Sequence, residues 1–185
     1  MAKDGRRLSQ PVGPTGLSMW NCFEYLRIDA LGSVTLFFWF GIFFLLQRAG
    51  GDYFFGRRFF ITSLVAMLAW LAGVFMEIAS SEPQCKIFWS KASWPLIVLL
   101  PTAWAFFLID YAFGARRNPR LWQMALLCIG PIAAALVVLT NDQHQLFYAP
   151  GTGPVEVDGD VLVVYRHGPL FYLFSAYIYI FLLCA

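Results

Sequence analysis

Charged side chains are scarce in this sequence of 185 residues, since Asp, Glu, Lys and Arg together make up 13% of it. A soluble domain has about 25%. Hydrophobic residues account for 59% and aromatic residues for 18%, which is too apolar for a water-soluble domain of this length. The formal net charge of +2 provides no basic surface of the kind that nucleic acids require, so we expect no nucleic-acid partner.

Motifs for catalysis or metal binding are also missing. The sequence has no nucleophile paired with a base, no glycine-rich phosphate loop and no cluster of metal ligands, so we expect no enzyme activity, cofactor or metal in this chain. The four cysteines show neither a CxxC pair nor metal-ligand spacing; they are Cys22, Cys85, Cys128 and Cys184. A disulfide between Cys22 and Cys85 is one pairing that the predicted topology below permits.

Long apolar runs are the dominant feature that is present. A bilayer core of about 30 Å needs about 20 apolar residues in a helix, and five stretches meet this length. We therefore predict an all-α membrane protein, a polytopic bundle of five spanning helices. The predicted spans run from Ala30 to Arg48, Phe59 to Ala79, Ala92 to Phe113, Leu121 to Thr140 and Gly168 to Ala185. The last is still apolar where the sequence stops, so we expect the bundle to be truncated there.

The segments outside these spans are short, with two exceptions. Residues 1–29 form an N-terminal tail in which residues 17–31 have the pattern of an interfacial helix. Residues 141–167 form an acidic loop. Within the loop, Val155–Val157 and Val161–Tyr165 flank an Asp-Gly pair, a pattern typical of a β-hairpin. We predict a small external hairpin that covers one end of the bundle.

The orientation follows from the positive charges of the short loops. The loops after the first and third spans hold six arginines, and cytoplasmic loops are enriched in Lys and Arg. The acidic hairpin and the N-terminus are then outside, on the outer face of the cytoplasmic membrane. The basic residues Lys3, Arg6 and Arg7 of the tail conflict with this orientation. The six loop arginines are Arg48, Arg57, Arg58, Arg116, Arg117 and Arg120.

Charge is absent from the middle of every predicted span. Glu77 lies near the outer end of the second and Asp110 near the inner end of the third. Charges inside a bilayer are costly and usually mark ion or proton paths, so their absence disfavours a pump or an ion-coupled transporter. Glu77 and Asp110 are either interfacial anchors or functional groups.

One polar cluster borders the membrane, in the segment from Asn141 to Tyr148. Its amide, carboxylate, imidazole and phenol groups are suited to ligand binding, and His144 also to pH sensing. The alternative is structural, with Asn141 and Asp142 capping the fourth helix and His144 packed under the hairpin. On the fifth span, Tyr172, Ser175 and Tyr179 form a polar stripe that we expect to face the bundle or a cavity.

Several ordered stretches resemble the N-terminal seven-helix membrane region of bacterial sensor histidine kinases and diguanylate cyclases. The sharpest is Leu139–Tyr148, followed after the hairpin by Tyr165–Phe171. Ala69–Leu71 with Glu77, and Phe88 through Tyr111, are similar to the family's second and third helices. The resemblance covers roughly residues 31–185. It implies a sensor with an external N-terminus, whose remaining two helices deliver a signal to a cytoplasmic output domain.

The leading hypothesis is therefore the membrane-embedded sensory region of a signalling receptor, of the two-component histidine kinase type. Its ligand, a small or membrane-soluble molecule, would bind at the outer ends of the helices. The alternatives are an accessory subunit of a membrane complex and a small-substrate transporter, and a second copy of the chain is another expected partner besides the bilayer. The candidate site residues are Asn141, Asp142, His144, Phe147, Tyr148 and Tyr172.

Overall fold

A computed structural model describes residues 30–51, 54–113, 121–157 and 160–183 of the chain. The described part is helical apart from one hairpin. The predicted tail and interfacial helix lie outside the described residues. The elements are α1 (Ala30–Ala49), α2 (Arg57–Ala79), α3 (Pro83–Phe113), α4 (Leu121–Leu139), α5 (Asn141–His144), β1 (Gly153–Val157), β2 (Asp160–Val164) and α6 (Pro169–Leu183).

Four of these helices, α1 to α4, are long and apolar enough to cross a membrane. Their large side chains are exposed over wide areas, with Phe37, Phe40 and Ile129 as examples, as expected of surfaces that face lipid. The chain is therefore a multi-pass membrane protein. The fifth predicted span corresponds to α6, which has 15 described residues and is shorter than the other four. The count of five spans is thus not confirmed.

Helix α3 begins at Pro83, nine residues before the predicted start at Ala92. Proline is favoured at the first position of a helix, where its missing N–H is not needed, and no breaker follows until Pro95. With 31 residues at about 1.5 Å each, α3 is about 46 Å long and exceeds the bilayer core of about 30 Å. Its first turns therefore extend beyond the membrane and form a wall for the loops there.

Helix α3 is also the centre of the bundle, because it packs against α2, α4, α6 and the hairpin. Its closest approach to α2 is at Gly73, where a Cβ atom would overlap Ser93 Oγ. Toward the middle, Thr102 Oγ1 lies 2.8 Å from the hydroxyl of Tyr177 on α6. Buried aromatic and aliphatic side chains fill the rest, including Phe59, Ala103, Phe106 and Leu127.

The predicted polar stripe on α6 does not face the bundle. Tyr172 and Tyr179 are 63% and 64% exposed, whereas Tyr177 points inward to Thr102. The reason is the position of the helix's aromatic residues: Phe171, Phe174 and Phe181 pack into the two core clusters. Burial of these rings sets the rotation of α6, since it removes far more apolar area from water or lipid headgroups than a tyrosine stripe would.

The predicted hairpin is confirmed, with β1 antiparallel to β2 and Gly153 opposite Val164. The pairing continues below the strands, where Ala149 N donates to Arg166 O and Gly168 N to Phe147 O. At that crossing the chain segments touch so closely that a Cβ at Gly168 would overlap the backbone of Leu146. The loop after α5 and the segment before α6 are therefore held together as one unit.

The opposite end of the bundle carries basic side chains. Arg57 donates from Nε to Ala49 O (3.2 Å) and from Nη2 to Gly50 O (2.5 Å), so it caps the C-terminal carbonyls of α1. Arg48 and Arg58 lie at the same turn between α1 and α2. The end of the bundle that lacks the hairpin is thus the basic end.

Candidate ligand-binding site at the hairpin end

A cleft of about 270 Å³ opens between the projecting start of α3, the short helix α5 and the loop that leads to β1. Three structural elements meet there because α3 begins at Pro83, before the predicted span, and α5 turns the chain towards it. Six of the lining residues bear polar side chains, on α3, on α5 and in the loop after α5. The lining residues are Ile87, Lys91, Asn141, Asp142, Gln145, Tyr148, Ala149, Pro150, Gly151 and Thr152.

Asn141 holds the loop below this cleft in shape. Its Oδ1 accepts hydrogen bonds from Phe147 N (2.9 Å) and Tyr148 N (3.0 Å), and its Nδ2 donates to Tyr148 O (3.1 Å). The side chain is buried, and these three bonds use most of its capacity. Asn141 therefore organises the site, and its amide has little left to offer a ligand.

Asp142, the next residue, points the other way and forms an ion pair with Lys91 on α3. Asp142 Oδ1 is 2.7 Å from Lys91 Nζ, and the side chains are 80% and 16% exposed, respectively. The pair closes one side of the cleft, with the carboxylate outermost and the ammonium half-enclosed. It is the only ion pair within the part of the chain that the structure describes.

Phe147 and Tyr148 anchor the floor of the cleft to the bundle. Phe147 is fully buried, and its ring meets Trp94 of α3 edge-to-face at 4.7 Å and Phe171 of α6 at 5.8 Å. The hydroxyl of Tyr148 accepts a hydrogen bond from Trp94 Nε1 (2.9 Å) and lies 3.0 Å from Ser90 Oγ. The floor is therefore in contact with both α3 and α6.

His144 caps helix α4 and does not line the cleft. Its Nδ1 accepts from Leu146 N (3.0 Å), and its Nε2 lies 3.1 Å from Val137 O. These two contacts require a neutral ring with the proton on Nε2, which donates to a carbonyl left free at the end of α4. The contacts of His144 are thus those of a helix cap, a role that the structural alternative assigned to Asn141 and Asp142, and not those of a residue packed under the hairpin.

The structure brings together five of the six candidate residues and separates the sixth. Asn141, Asp142 and Tyr148 line the cleft, while Phe147 and His144 support the segment that forms it. Tyr172 lies on the exposed face of α6, with an edge-to-face contact to Phe171. A ligand in the cleft does not contact Tyr172.

Sequence reasoning missed Lys91 as a site residue. It was assigned to a loop before the third span, because that span was predicted to begin at Ala92. Had α3 been extended back to Pro83, the spacing of Ile87, Ser90, Lys91 and Trp94 would have placed them on one helical face. That face is the one that the cleft and its aromatic floor share.

Glu77 has a specific partner, Tyr165, which follows β2 directly. Tyr165 Oη donates to Glu77 Oε1 at 2.7 Å, and Lys86 Nζ donates to the carbonyl of Glu77 at 3.2 Å. Glu77 lies near the C-terminal end of α2, so this contact fastens the hairpin to that end of the helix. Of the two roles expected for Glu77, interfacial anchor or functional group, the structure shows a carboxylate that makes a tertiary contact.

The rings of the two tyrosines, Tyr148 and Tyr165, are in contact, with centroids 5.4 Å apart. Burial raises the pKa of Tyr148, against the hydrogen bonds of Ser90 and Trp94, which lower it. Burial, and then the hydrogen bond to Glu77, raise the pKa of Tyr165. Both phenols are therefore neutral at neutral pH and can donate. We refer to Trp94, Tyr148, Tyr165 and Glu77, which are joined by two hydrogen bonds and the contact of the tyrosine rings, as the tyrosine chain.

No group of three potential metal ligands occurs within residues 30–51, 54–113, 121–157 and 160–183. The cleft offers one ammonium, one carboxylate, amide and hydroxyl groups, and backbone N–H and C=O groups.

A comparison with known proteins identifies the family. The family model described as the N-terminal 7TM region of histidine kinase matches residues 29–185, which confirms the resemblance stated above. No curated protein and no solved structure is significantly similar to the chain. The family is a sensory membrane region and not a catalytic domain. Because the match covers most of the sequence, the chain belongs to the family of N-terminal seven-transmembrane regions of histidine kinases.

Proposed function

We propose that this region detects a small solute in the cleft at the hairpin end and relays its binding through α2, α3 and α6 to a cytoplasmic kinase domain. The observation that carries the proposal is the floor of the cleft. Tyr148 lines the cleft and at the same time bonds to Trp94 of α3. A ligand that shifts Tyr148 must therefore change the packing of α3.

The route away from the cleft follows the tyrosine chain. From Tyr148 it passes through the ring contact to Tyr165 and ends at Glu77 near the end of α2. Phe147, beside Tyr148, packs on α6 through Phe171 and Phe174. Packed helices move between discrete arrangements rather than deforming continuously, so a change in this small region can be transmitted along whole helices.

We propose that the hairpin end faces outward from the inner membrane. The basic turn between α1 and α2, with Arg48, Arg57 and Arg58, lies at the other end, and positive loops favour the cytoplasm. Cys85, in the first turn of α3 at the hairpin end, is disulfide-bonded. Disulfides persist in oxidising compartments such as the periplasm, which supports the same orientation.

The test uses the full-length kinase, purified and reconstituted in lipid nanodiscs. Autophosphorylation and thermal stability are measured on the same preparations of wild type, Lys91→Gln and Asp142→Asn. We expect either substitution to change the basal autophosphorylation several-fold. Lys91→Gln should lower stability by less than about 1 kcal/mol, because it leaves the exposed Asp142 to water, and Asp142→Asn should lower it more, because it leaves Lys91 without its partner.

Gln143→Ala is the matched control, because Gln143 is exposed and adjacent to Asp142 but does not line the cleft. It should alter neither quantity. Unchanged autophosphorylation in both cleft variants would contradict the proposal and favour the accessory-subunit alternative.

A further inference from the structure

We infer that the ligand of this cleft is a small carboxylate-bearing solute, bound through its carboxylate by Lys91 in exchange for Asp142. The inference rests on the proposed function, since it assigns a chemical class to the ligand of that same cleft. It comes from the unequal burial of the two partners of the ion pair, from a second cation at the rim and from the size of the cleft.

The two charges differ in what it costs to separate them. Asp142 is 80% exposed and Lys91 16%. A carboxylate that loses its partner at such exposure is stabilised by water, whereas a half-enclosed ammonium without a partner is not. An anionic ligand can therefore replace Asp142 at Lys91 at little cost. A cationic ligand would draw Asp142 away and leave Lys91 unpaired, so the site selects against it.

Lys91 also has hydrogen-bonding capacity for such a ligand. An ammonium group has three N–H donors, and Asp142 is the one acceptor that the structure gives to Lys91. The remaining donors adjoin the cleft, which Lys91 lines. A ligand carboxylate can accept more than one of them, and charge-assisted hydrogen bonds of this kind are about twice as strong as neutral ones.

A second cation lies next to the cleft. The guanidinium carbon of Arg166 is 3.4 Å from the position that a Cβ atom would occupy on Gly151, a residue of the lining. Arg166 makes no ion pair among the residues that the structure describes. The two cations, Lys91 and Arg166, and the one carboxylate, Asp142, leave one positive charge uncompensated at the cleft. This charge matches a ligand with one negative charge.

The cleft has room for a small molecule, since its volume is about 270 Å³. Short-chain carboxylic acids and small amino acids fit within it. An amino acid would also offer its ammonium to the displaced Asp142, whereas a simple carboxylic acid has no such group. The two kinds of ligand therefore predict different roles for Asp142.

The experiment measures the melting temperature of the full-length protein in nanodiscs, by tryptophan fluorescence, at constant ionic strength. The probes are acetate, alanine, methylammonium and inorganic phosphate. At ten times its Kd, a probe should raise the melting temperature by about 3 °C or more. We expect this rise with acetate or alanine and none with methylammonium or phosphate. A rise with methylammonium alone would overturn the inference.

Three variants locate the effect. Lys91→Gln should abolish the rise, and Arg58→Gln, at the basic end of the bundle, should leave it unchanged. Asp142→Asn should preserve or increase the rise with acetate, and should reduce it with alanine if the ammonium binds Asp142. Loss of the acetate effect in Asp142→Asn but not in Lys91→Gln would contradict the assignment. If Lys91→Gln changes autophosphorylation while no carboxylate shifts the melting temperature, the ligand class is wrong and the proposed function stands.

Discussion

The hydroxyl of Tyr165 donates a 2.7 Å hydrogen bond to Glu77 Oε1 across 88 residues of sequence. This contact joins the segment after β2 to the last turns of α2, at the border between the membrane and the hairpin. It also ends the tyrosine chain that begins at Trp94 in the floor of the cleft. Removing it should separate the hairpin from α2 without altering the cleft itself.

Tyr165→Phe tests this contact with the loss of one oxygen atom. A hydrogen bond to a charged group contributes about 1.5–3 kcal/mol, and the contact is half-buried, so we expect a loss of about 1–2 kcal/mol in unfolding free energy. Tyr172→Phe is the control, because Tyr172 is exposed and has no side-chain hydrogen bond in the described structure. Equal melting temperatures for Tyr165→Phe and wild type would show that the contact contributes nothing.

Asn141→Ala should be the most damaging polar substitution in the cleft. It removes the acceptor of two buried backbone N–H groups and the donor to Tyr148 O. An unsatisfied buried donor costs about 1–3 kcal/mol, so the expected total is about 3 kcal/mol. The measurement is chemical or thermal unfolding in detergent or nanodiscs, with Gln143→Ala as the control. A loss below about 1 kcal/mol would mean that water replaces the amide.

Phe147→Ala and His144→Ala should differ in their effects, although the residues are three positions apart. Phe147 is 0% exposed in an aromatic cluster, and truncating such a ring costs about 3–5 kcal/mol. His144 buries less surface, and losing its two backbone contacts should cost about 1 kcal/mol. Phe44→Ala, on the exposed face of α1, is the matched control for the phenylalanine. Equal losses for Phe147→Ala and His144→Ala would favour a purely structural role for the whole segment.

The partner of Cys85 can be identified chemically. Cys85 is disulfide-bonded and Cys128 is free; the predicted partner, Cys22, lies outside the described residues, so this pairing stays a prediction. We expect mass tagging of thiols without reduction to leave Cys22 and Cys85 unmodified in wild type. Cys22→Ser should free Cys85 for tagging, and Cys128→Ser should not. Tagging of Cys85 in the unreduced wild type would show that the disulfide is not present.

The features that sequence reasoning predicted correctly are those with local signals. Apolar length predicted α1, α2 and α4 within a few residues, and the Asp-Gly pair between β-branched residues predicted the hairpin. The start of α3 was missed because apolar length marks only the part of a helix inside the membrane. Pro83 and the polar turns after it belong to a helix that continues into water.

The residues of the cleft were predicted in part, because only some of them are marked by a local signal. The segment from Asn141 to Tyr148 is contiguous, and its mixed polar and aromatic groups indicated a site. Lys91 reaches Asp142 from 51 residues away, and no local pattern encodes that distance. The stripe with Tyr172 was expected to face inward, but a hydroxyl stripe and an aromatic stripe compete on α6, and only the packing of Phe171 and Phe174 decides which one does. A ligand-binding role for Tyr172 stays a prediction.

The central claim is that the cleft and the contact between Tyr165 and Glu77 belong to one signalling route. The most direct measurement is a double-mutant cycle on the autophosphorylation of the full-length kinase, with Lys91→Gln, Tyr165→Phe and the two combined. If both residues belong to one route, the coupling energy should be at least about 0.5 kcal/mol, because the second substitution acts on a route that the first has already broken. Strictly additive effects, with both single variants active and folded, would contradict the claim.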